Sequence, residues 1–483
     1  MRQITLGPFN RVEGDLEVHL AVREERIVAA QVNSPLFRGF EQILEGKAPS
    51  DALVITPRIC GICSVAQSMA AAAALADAMQ LQMPRNGELV TNLILASENL
   101  ADHLSHFYLF FMPDFAREAY AARPWHEHVA ARFRALSGSA AAEVLRARAE
   151  FLHLMGTLAG KWPHTLTLQP GGSSRAVEPG ERLRLLALLA QFRRFLEQRL
   201  YGDSLERIAA LSSREELEAW RAQAAWHQSD LRTFLHLAEQ LDLYAVGRGS
   251  ERYLSYGAYP LQQERLFARG VWDRGAARSL DLAAIAEDIS HSWMQGDKLS
   301  LPPAQGRTHP DENRPGAYSW CKAPRLNGEV MEVGALARQL VDGQSLIRDL
   351  VARGGGSVAT RVIARLLEIA RVLLAMEDWL RALQSDKPYC AFAKMPIEAQ
   401  GVGLVEAARG SLGHWLRVHK GRIANYQIIA PTTWNFSPRD AQGVPGALEQ
   451  ALVGVPMAAG EEDPVLVQHI VRSFDPCMVC TVH

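Results

Sequence analysis

The chain has little cysteine, no excess of charge of either sign and no long hydrophobic run. Six cysteines in 483 residues are too few for a disulfide scaffold. A Cys-x-x-Cys spacing in such a chain points instead to metal binding or redox chemistry. The formal net charge of −2 provides no global field for nucleic acid or an anionic membrane, and no block of like charges stands out. Runs of about 18 uncharged apolar residues are missing, so no transmembrane helix and no direct membrane insertion are expected. The opening MRQITLGPFNRVEGD lacks the apolar stretch of a secretory signal. Internal repeats, low-complexity tracts and linkers are also missing. Length alone suggests about three domains, but nothing in the chain marks a boundary, and one integrated body over 1–483 is expected.

What the chain does have is an apolar content of 48%, enough for an extensive core, and two Cys-x-x-Cys pairs at opposite ends. Cys60 and Cys63 lie in RICGIC; Cys477 and Cys480 lie in DPCMVC, three residues before the last. The ends are expected to fold together around one thiolate-rich site. Four thiolates suit nickel, zinc or iron. Gly61 relaxes the backbone between one pair, Pro476 fixes the chain before the other, and Arg58 is a candidate for holding the first pair ionised. A closed zinc site built from two cysteine pairs usually spaces them about 15–20 residues apart, whereas Cys63 and Cys477 stand more than 400 positions apart. Apolar neighbours Ile59, Ile62, Met478 and Val479 are also unlike a zinc knuckle. The residues therefore favour a redox or catalytic metal over structural zinc or two unrelated pairs. Cys321 and Cys390 are isolated and read as structural.

The fold class expected is α+β, mainly α: a central long-helix bundle with β-containing ends. Residues 1–63 form the β-rich part with the first cysteine pair. Alternation of Leu16, Val18, Leu20 and Val22 marks a strand, and Ile27 to Val32 returns as its hairpin partner. Residues 64–400 are mainly helical, with helices over Ser64–Met79, Asn86–Met112, Ala140–Gly160, Pro179–Tyr201, Leu336–Val351 and Val358–Leu383. Loops and short strands interrupt them over Gly247–Pro324. Residues 401–483 are mixed, with short strands and turns to about 440 and a helix over Pro464–Ser473 before the second pair.

The motifs RVEGD, FRGFEQIL, RICGIC, HFYLF, YSWCKAPR, GSLGHW, PTTWNFSPRD and DPCMVCTVH together resemble the large, catalytic subunit of nickel–iron hydrogenases, from residue 4 to residue 483. The resemblance implies that Cys60, Cys63, Cys477 and Cys480 bind nickel. Cys63 and Cys480 would bridge to an iron carrying one CO and two cyanides. It implies that Glu13 takes the proton from the Cys477 thiolate. Glu41, the main-chain carbonyl of Ile428 and His483 would hold Mg2+. Arg409, Asp102 and Asp475 would form a polar canopy over the metals, Arg409 being an alternative first base, and Thr432 would hydrogen-bond a cyanide. The reaction implied is heterolytic cleavage of H2. Its electrons would leave through iron–sulfur clusters carried only by a small subunit, in a heterodimer or a dimer of heterodimers.

Three positions depart from the family pattern. Gln67 stands where a His usually follows the first cysteine pair, as in H2-sensing regulatory members that signal to a histidine kinase. Ala408 replaces the usual Pro before the canopy Arg, and Asp15 replaces a His. The expectation is therefore a cytoplasmic H2 sensor, with a respiratory or uptake hydrogenase as the alternative. A non-catalytic scaffold around structural zinc is the alternative of another class. Sensors lack the C-terminal extension that other members lose on maturation, so the ending at His483 does not separate the two enzyme readings.

Overall fold

Period-two alternation needs a strand with one buried face, and Glu17–Arg23 pairs antiparallel with Arg26–Asn33, burying Val18, Leu20 and Val22. A third strand, Arg2–Leu6, lies on the free edge of Glu17–Arg23. The sequence pattern does not mark it, because only Leu6 of its five residues is buried. The computed structural model describes residues 2–296, 300–458, 460–461, 464–481 and 483.

The architecture is mixed α+β with helices dominant. Ser64–Ala78 is an alanine-rich helix buried on most of its surface. Arg85–Ser105 follows and, without breaking, passes into a π-helical turn at His106–Phe111. Such turns occur mostly inside α-helices and often at functional sites. The helix expected over 140–160 is two, Ser139–Phe151 and His153–Ala159. Pro179–Phe195 likewise continues into a π-helical turn to Tyr201. The expected Leu336–Val351 helix is also two, Ala335–Asp342 and Ser345–Gly354. Gly343 separates them at φ 90°, a left-handed cap that ends a helix at little cost for glycine. Val358–Ala382 is the longest helix, with a Ser357 cap, and it packs along Arg85–Ser105.

The region expected to hold short strands and turns after residue 400 instead forms one antiparallel sheet of three full strands, Ala399–Ala407, Gly410–His419 and Arg422–Ile429. Ser64–Ala78 lies directly on its first strand. Gly401 and Gly403 make this approach possible: a Cβ built on either would stand 2.0 Å or 1.9 Å from the carbonyl oxygens of Ala74 and Ala70. The helix that follows the first cysteine pair is thus seated by two glycines of the C-terminal part. Most buried apolar residues from Leu6 to Cys480 form one continuous core, and a smaller cluster around Tyr256, Trp415 and Trp434 stands apart from it. No helix of the described residues is long and apolar enough to cross a membrane.

Candidate metal centre

The four paired cysteines converge. Cys60 Sγ lies 3.6 Å from Cys477 Sγ, and Cys63 Sγ lies 3.1 Å from Cys480 Sγ. Cys477 and Cys480 are 3.1 Å apart, and all four sulfurs fall within 4.8 Å of one another. All are buried and none is in a disulfide. Backbone bonds tie the chain ends behind them: Met478 N–H donates to the Glu13 carbonyl at 2.7 Å, and Glu13 N–H to the Pro476 carbonyl at 3.4 Å. Arg38 clamps both cysteine loops, donating to the Ile59 carbonyl at 2.6 Å and to the Val479 carbonyl. Arg58, the sequence candidate for holding the first pair ionised, is exposed and is not among the main groups that shift the Cys60 or Cys63 thiol. Arg38, more than 20 residues upstream, reaches the loops.

Hydrogen bonding among the sulfurs drives the Cys60 thiol well below its ordinary value and Cys63 and Cys480 well above theirs. Four buried sulfurs this close share little negative charge unless a cation joins them. The donor set therefore fits a soft or borderline metal held by thiolates.

A charged group crosses the site from the tip of the C-terminal sheet. Ala408 and Arg409 are the two-residue turn between Ala399–Ala407 and Gly410–His419. Arg409 donates to Asp102 at 2.5 and 3.2 Å and to the Asp475 carbonyl at 3.1 Å, with the Asp475 carboxylate at 3.2 Å. Burial works against its charge, but Asp102 and Asp475 hold the guanidinium protonated far above its ordinary range. The two acids diverge. Burial pushes Asp102 up to about 7 against the pull of Arg409. Asp475 is also disfavoured by burial, yet Arg409, His106 and Arg365 keep it below its ordinary value. Asp475 Oδ2 has no partner among the described residues. Ala408 offers its carbonyl to Arg338 at 3.0 Å.

Glu13 is half-buried beside the quartet. Burial and the Cys60 charge raise its carboxyl, while Arg409 and Arg38 pull it down. The Thr432 hydroxyl accepts from Cys477 N–H at 3.1 Å. Gln67 lies one turn after Cys63, and its Oε1 is 2.9 Å from His414 Nε2. A carbonyl oxygen only accepts, so the proton sits on Nε2, and the Tyr426 hydroxyl donates to Nδ1 at 2.8 Å. His414 and Tyr426 were not singled out in the sequence, because their importance lies in a partner almost 350 residues away.

Glu41, Ile428 and His483 also meet. Ile428 N–H donates to Glu41 at 2.7 Å, and His483 Nε2 lies 3.3 Å from the same carboxylate. His483 Nδ1 is 2.8 Å from the Cys480 carbonyl, tying the last residue to its own cysteine turn. Thr308 donates to Glu41. Lys322, within YSWCKAPR, stands 3.5 Å from Glu41 and 3.4 Å from Glu287. Burial opposes the charge of Glu41, but Lys322 and His483 keep it ionised. Lys322 and Glu287 were not expected here. Cys321 is buried, with its thiol directed at the Lys322 carbonyl, and Cys390 is partly exposed; neither joins the quartet.

The sequence profile described as "Nickel-dependent hydrogenase" matches residues 38–124 and 139–483. The periplasmic [NiFeSe] hydrogenase large subunit of Desulfomicrobium baculatum is 29% identical, over 100% of this chain and 95% of its own. The hydrogenase-2 large chain of Escherichia coli K12 is 26% identical, over 100% and 97%. The reduced Ni-Fe-Se hydrogenase of D. vulgaris Hildenborough superposes with a TM-score of 0.84 at 30% identity, covering all of both chains.

Proposed function

The chain belongs to the nickel-dependent hydrogenase family as a catalytic large subunit, and from that premise we propose that it splits H2 heterolytically and passes the electrons to an iron–sulfur small subunit. The observation that carries this reading is the quartet of buried sulfurs from both chain ends lying beneath a buried Arg409–Asp102–Asp475 group. A structural zinc site has no use for three charged groups buried over it, since each costs free energy unless paired.

Cys60, Cys63, Cys477 and Cys480 would hold nickel, with Cys63 and Cys480 shared with an iron bearing CO and two cyanides. When bound, the centre supplies the electrophile that polarises H2 and the redox couple that takes up its electrons. The residues do the rest. Cys477 Sγ receives the proton, and Glu13, pinned to the Cys477 turn through Met478 N–H, relays it. Arg409 is the alternative first base. Arg409, Asp102 and Asp475 fill the space above the sulfurs with fixed charge, and Thr432 offers its hydroxyl to a cyanide. Glu41, the Ile428 carbonyl and His483 would hold Mg2+, a hard cation suited to oxygen donors. The two remaining cysteines lie apart from the quartet, so clusters belong to the small subunit, in a heterodimer or a dimer of heterodimers.

Within this activity we propose an H2-sensing role in the cytoplasm, signalling to a histidine kinase. Gln67 supports it: it stands where the family pattern has a His, its oxygen is held by His414 at 2.9 Å, and its amide NH2 cannot titrate. The uptake reading is second, favoured by relatives named as periplasmic and uptake hydrogenases. Elemental analysis and infrared spectroscopy test the first claim. Equimolar nickel and iron with CO and cyanide bands are expected, and zinc alone would end it. For the second, Gln67→His is expected to alter H2 oxidation and target-gene activation together. A wild-type protein that contacts no kinase and changes no target gene counts against the sensor.

A further inference from the structure

Glu98 belongs to none of the motifs above, yet it is 2% exposed and bonded on both oxygens. Its Oε2 accepts from Val65 N–H at 2.9 Å and from Trp162 Nε1–H at 2.9 Å, with the Ser64 hydroxyl at 3.5 Å. Its Oε1 accepts from Ala66 N–H at 3.0 Å. Val65 and Ala66 are in the first turn of the Ser64–Ala78 helix, and the residue at that helix's N-cap is Cys63.

The first N–H groups of a helix have no partner within it, and the side chain at the N-cap normally supplies one. Cys63 makes no such bond; its sulfur is turned instead to Cys480. A ligand cysteine at the cap position leaves the helix start uncapped, and Glu98 fills that need from another helix. It sits one turn before Asp102 on Arg85–Ser105, so the two carboxylates project from the same face. One helix thus presents Asp102 to Arg409 above the sulfurs and Glu98 to the helix behind Cys63. The arrangement is costly: burial pushes the Glu98 carboxyl up to about 8 against the pull of its Val65, Trp162 and Ala66 donors. Trp162 extends the connection outward, with the Arg148 guanidinium 5.2 Å over its ring.

We infer that Glu98 is a positioning residue, which caps from a distance the helix that begins at Cys63 and so sets the place of the Cys63 sulfur and the field around it. Its carboxylate opposes the positive end of the Ser64–Ala78 dipole, which would otherwise withdraw charge from that sulfur. This inference rests on the reading of the quartet as a nickel–iron centre.

The test uses the nickel-loaded heterodimer with Glu98→Gln and Trp162→Phe. Glutamine has the same shape, but it offers one acceptor oxygen and turns an NH2 group toward an N–H donor. At pH 9, above the value of about 8 at which Glu98 ionises, the Glu98→Gln protein is expected to show CO and cyanide bands displaced to higher wavenumber, because negative charge is removed, and H2 oxidation lowered by roughly tenfold to a hundredfold. A folded Glu98→Gln chain that loses its nickel supports the inference equally. If Glu98→Gln does not fold, Trp162→Phe decides, since it keeps the carboxylate and both backbone donors: displaced bands support the inference and unmoved bands overturn it. Wild-type band positions in loaded Glu98→Gln also overturn it. Wild-type protein without such bands would strike at the metal reading instead.

Discussion

Arg409 and Glu13 divide the work of the centre between a fixed charge and a movable proton. Arg409 reaches Asp102 and the Asp475 carbonyl and carboxylate from one planar fork, a geometry that a lysine ammonium does not reproduce. Arg409→Lys is therefore expected to lower H2 oxidation by roughly 100-fold with the thermal transition little changed, and wild-type turnover in the variant would remove the canopy role. Glu13 has its main chain locked to the Cys477 turn while its carboxylate lies half-open. Glu13→Gln keeps the shape and loses the proton acceptor. Nickel and iron contents should stay at wild-type levels while H/D exchange falls by roughly 100-fold or more. Exchange at the wild-type rate would take Glu13 out of the relay.

At the scale of elements, the site depends on how the Ser64–Ala78 helix meets the C-terminal sheet. Gly403→Ala would drive a methyl group to 1.9 Å from the Ala70 carbonyl oxygen. Backbone must then move, at a cost of about 3 kcal/mol or more. The denaturation midpoint and the nickel content should fall together; an unchanged nickel content would show that this seat does not hold Cys63. The long Val358–Ala382 helix supplies a second support, Glu368. Burial disfavours its charge, but Arg338 and His103 hold its carboxyl at about 2, below the ordinary 4.5. A folded value below the unfolded one means that the stabilisation is present above about pH 4.5 and is lost as pH falls toward 2. Its size is on the order of 3 kcal/mol. The stability gap between wild type and Glu368→Gln should narrow from pH 6 to pH 3.5, and a constant gap would contradict the assignment. These supports explain what could be read in advance. The 17–33 hairpin and the long helices follow from periodicity. The C-terminal sheet did not, because Gly410–His419 is buried on both faces over most of its length and loses the alternation that marks a half-buried strand. The cysteines were legible from spacing. Arg38, Glu98, His414 and Lys322 were not, because each acts on a partner far away in the chain.

For the whole molecule, the decisive fact is that the two ends close on each other. Closing a loop of more than four hundred residues costs about 5 kcal/mol of chain entropy. The packing of the Val465–Ser473 helix offsets part of this: Val467, Ile470 and Val471 are fully buried. Beyond that helix, the terminal residues are held by Met478 N–H on the Glu13 carbonyl, by Arg38 on the Val479 carbonyl, and by His483 against Glu41 and the Cys480 carbonyl. Metal binding by four thiolates contributes on the order of 10 kcal/mol in small peptide sites, far more than these few bonds, which are worth about 1 kcal/mol each. Without metal, four crowded thiols retain only weak contacts with one another. The body of the protein should therefore remain folded without nickel while its last turn opens. Carboxypeptidase digestion of nickel-free and nickel-loaded protein measures this directly. Release of His483 and the residues before it should be much faster without nickel, with the circular dichroism of the core nearly unchanged. Equal release rates would mean that the terminus is held by protein contacts alone and that the metal does not lock the two ends together.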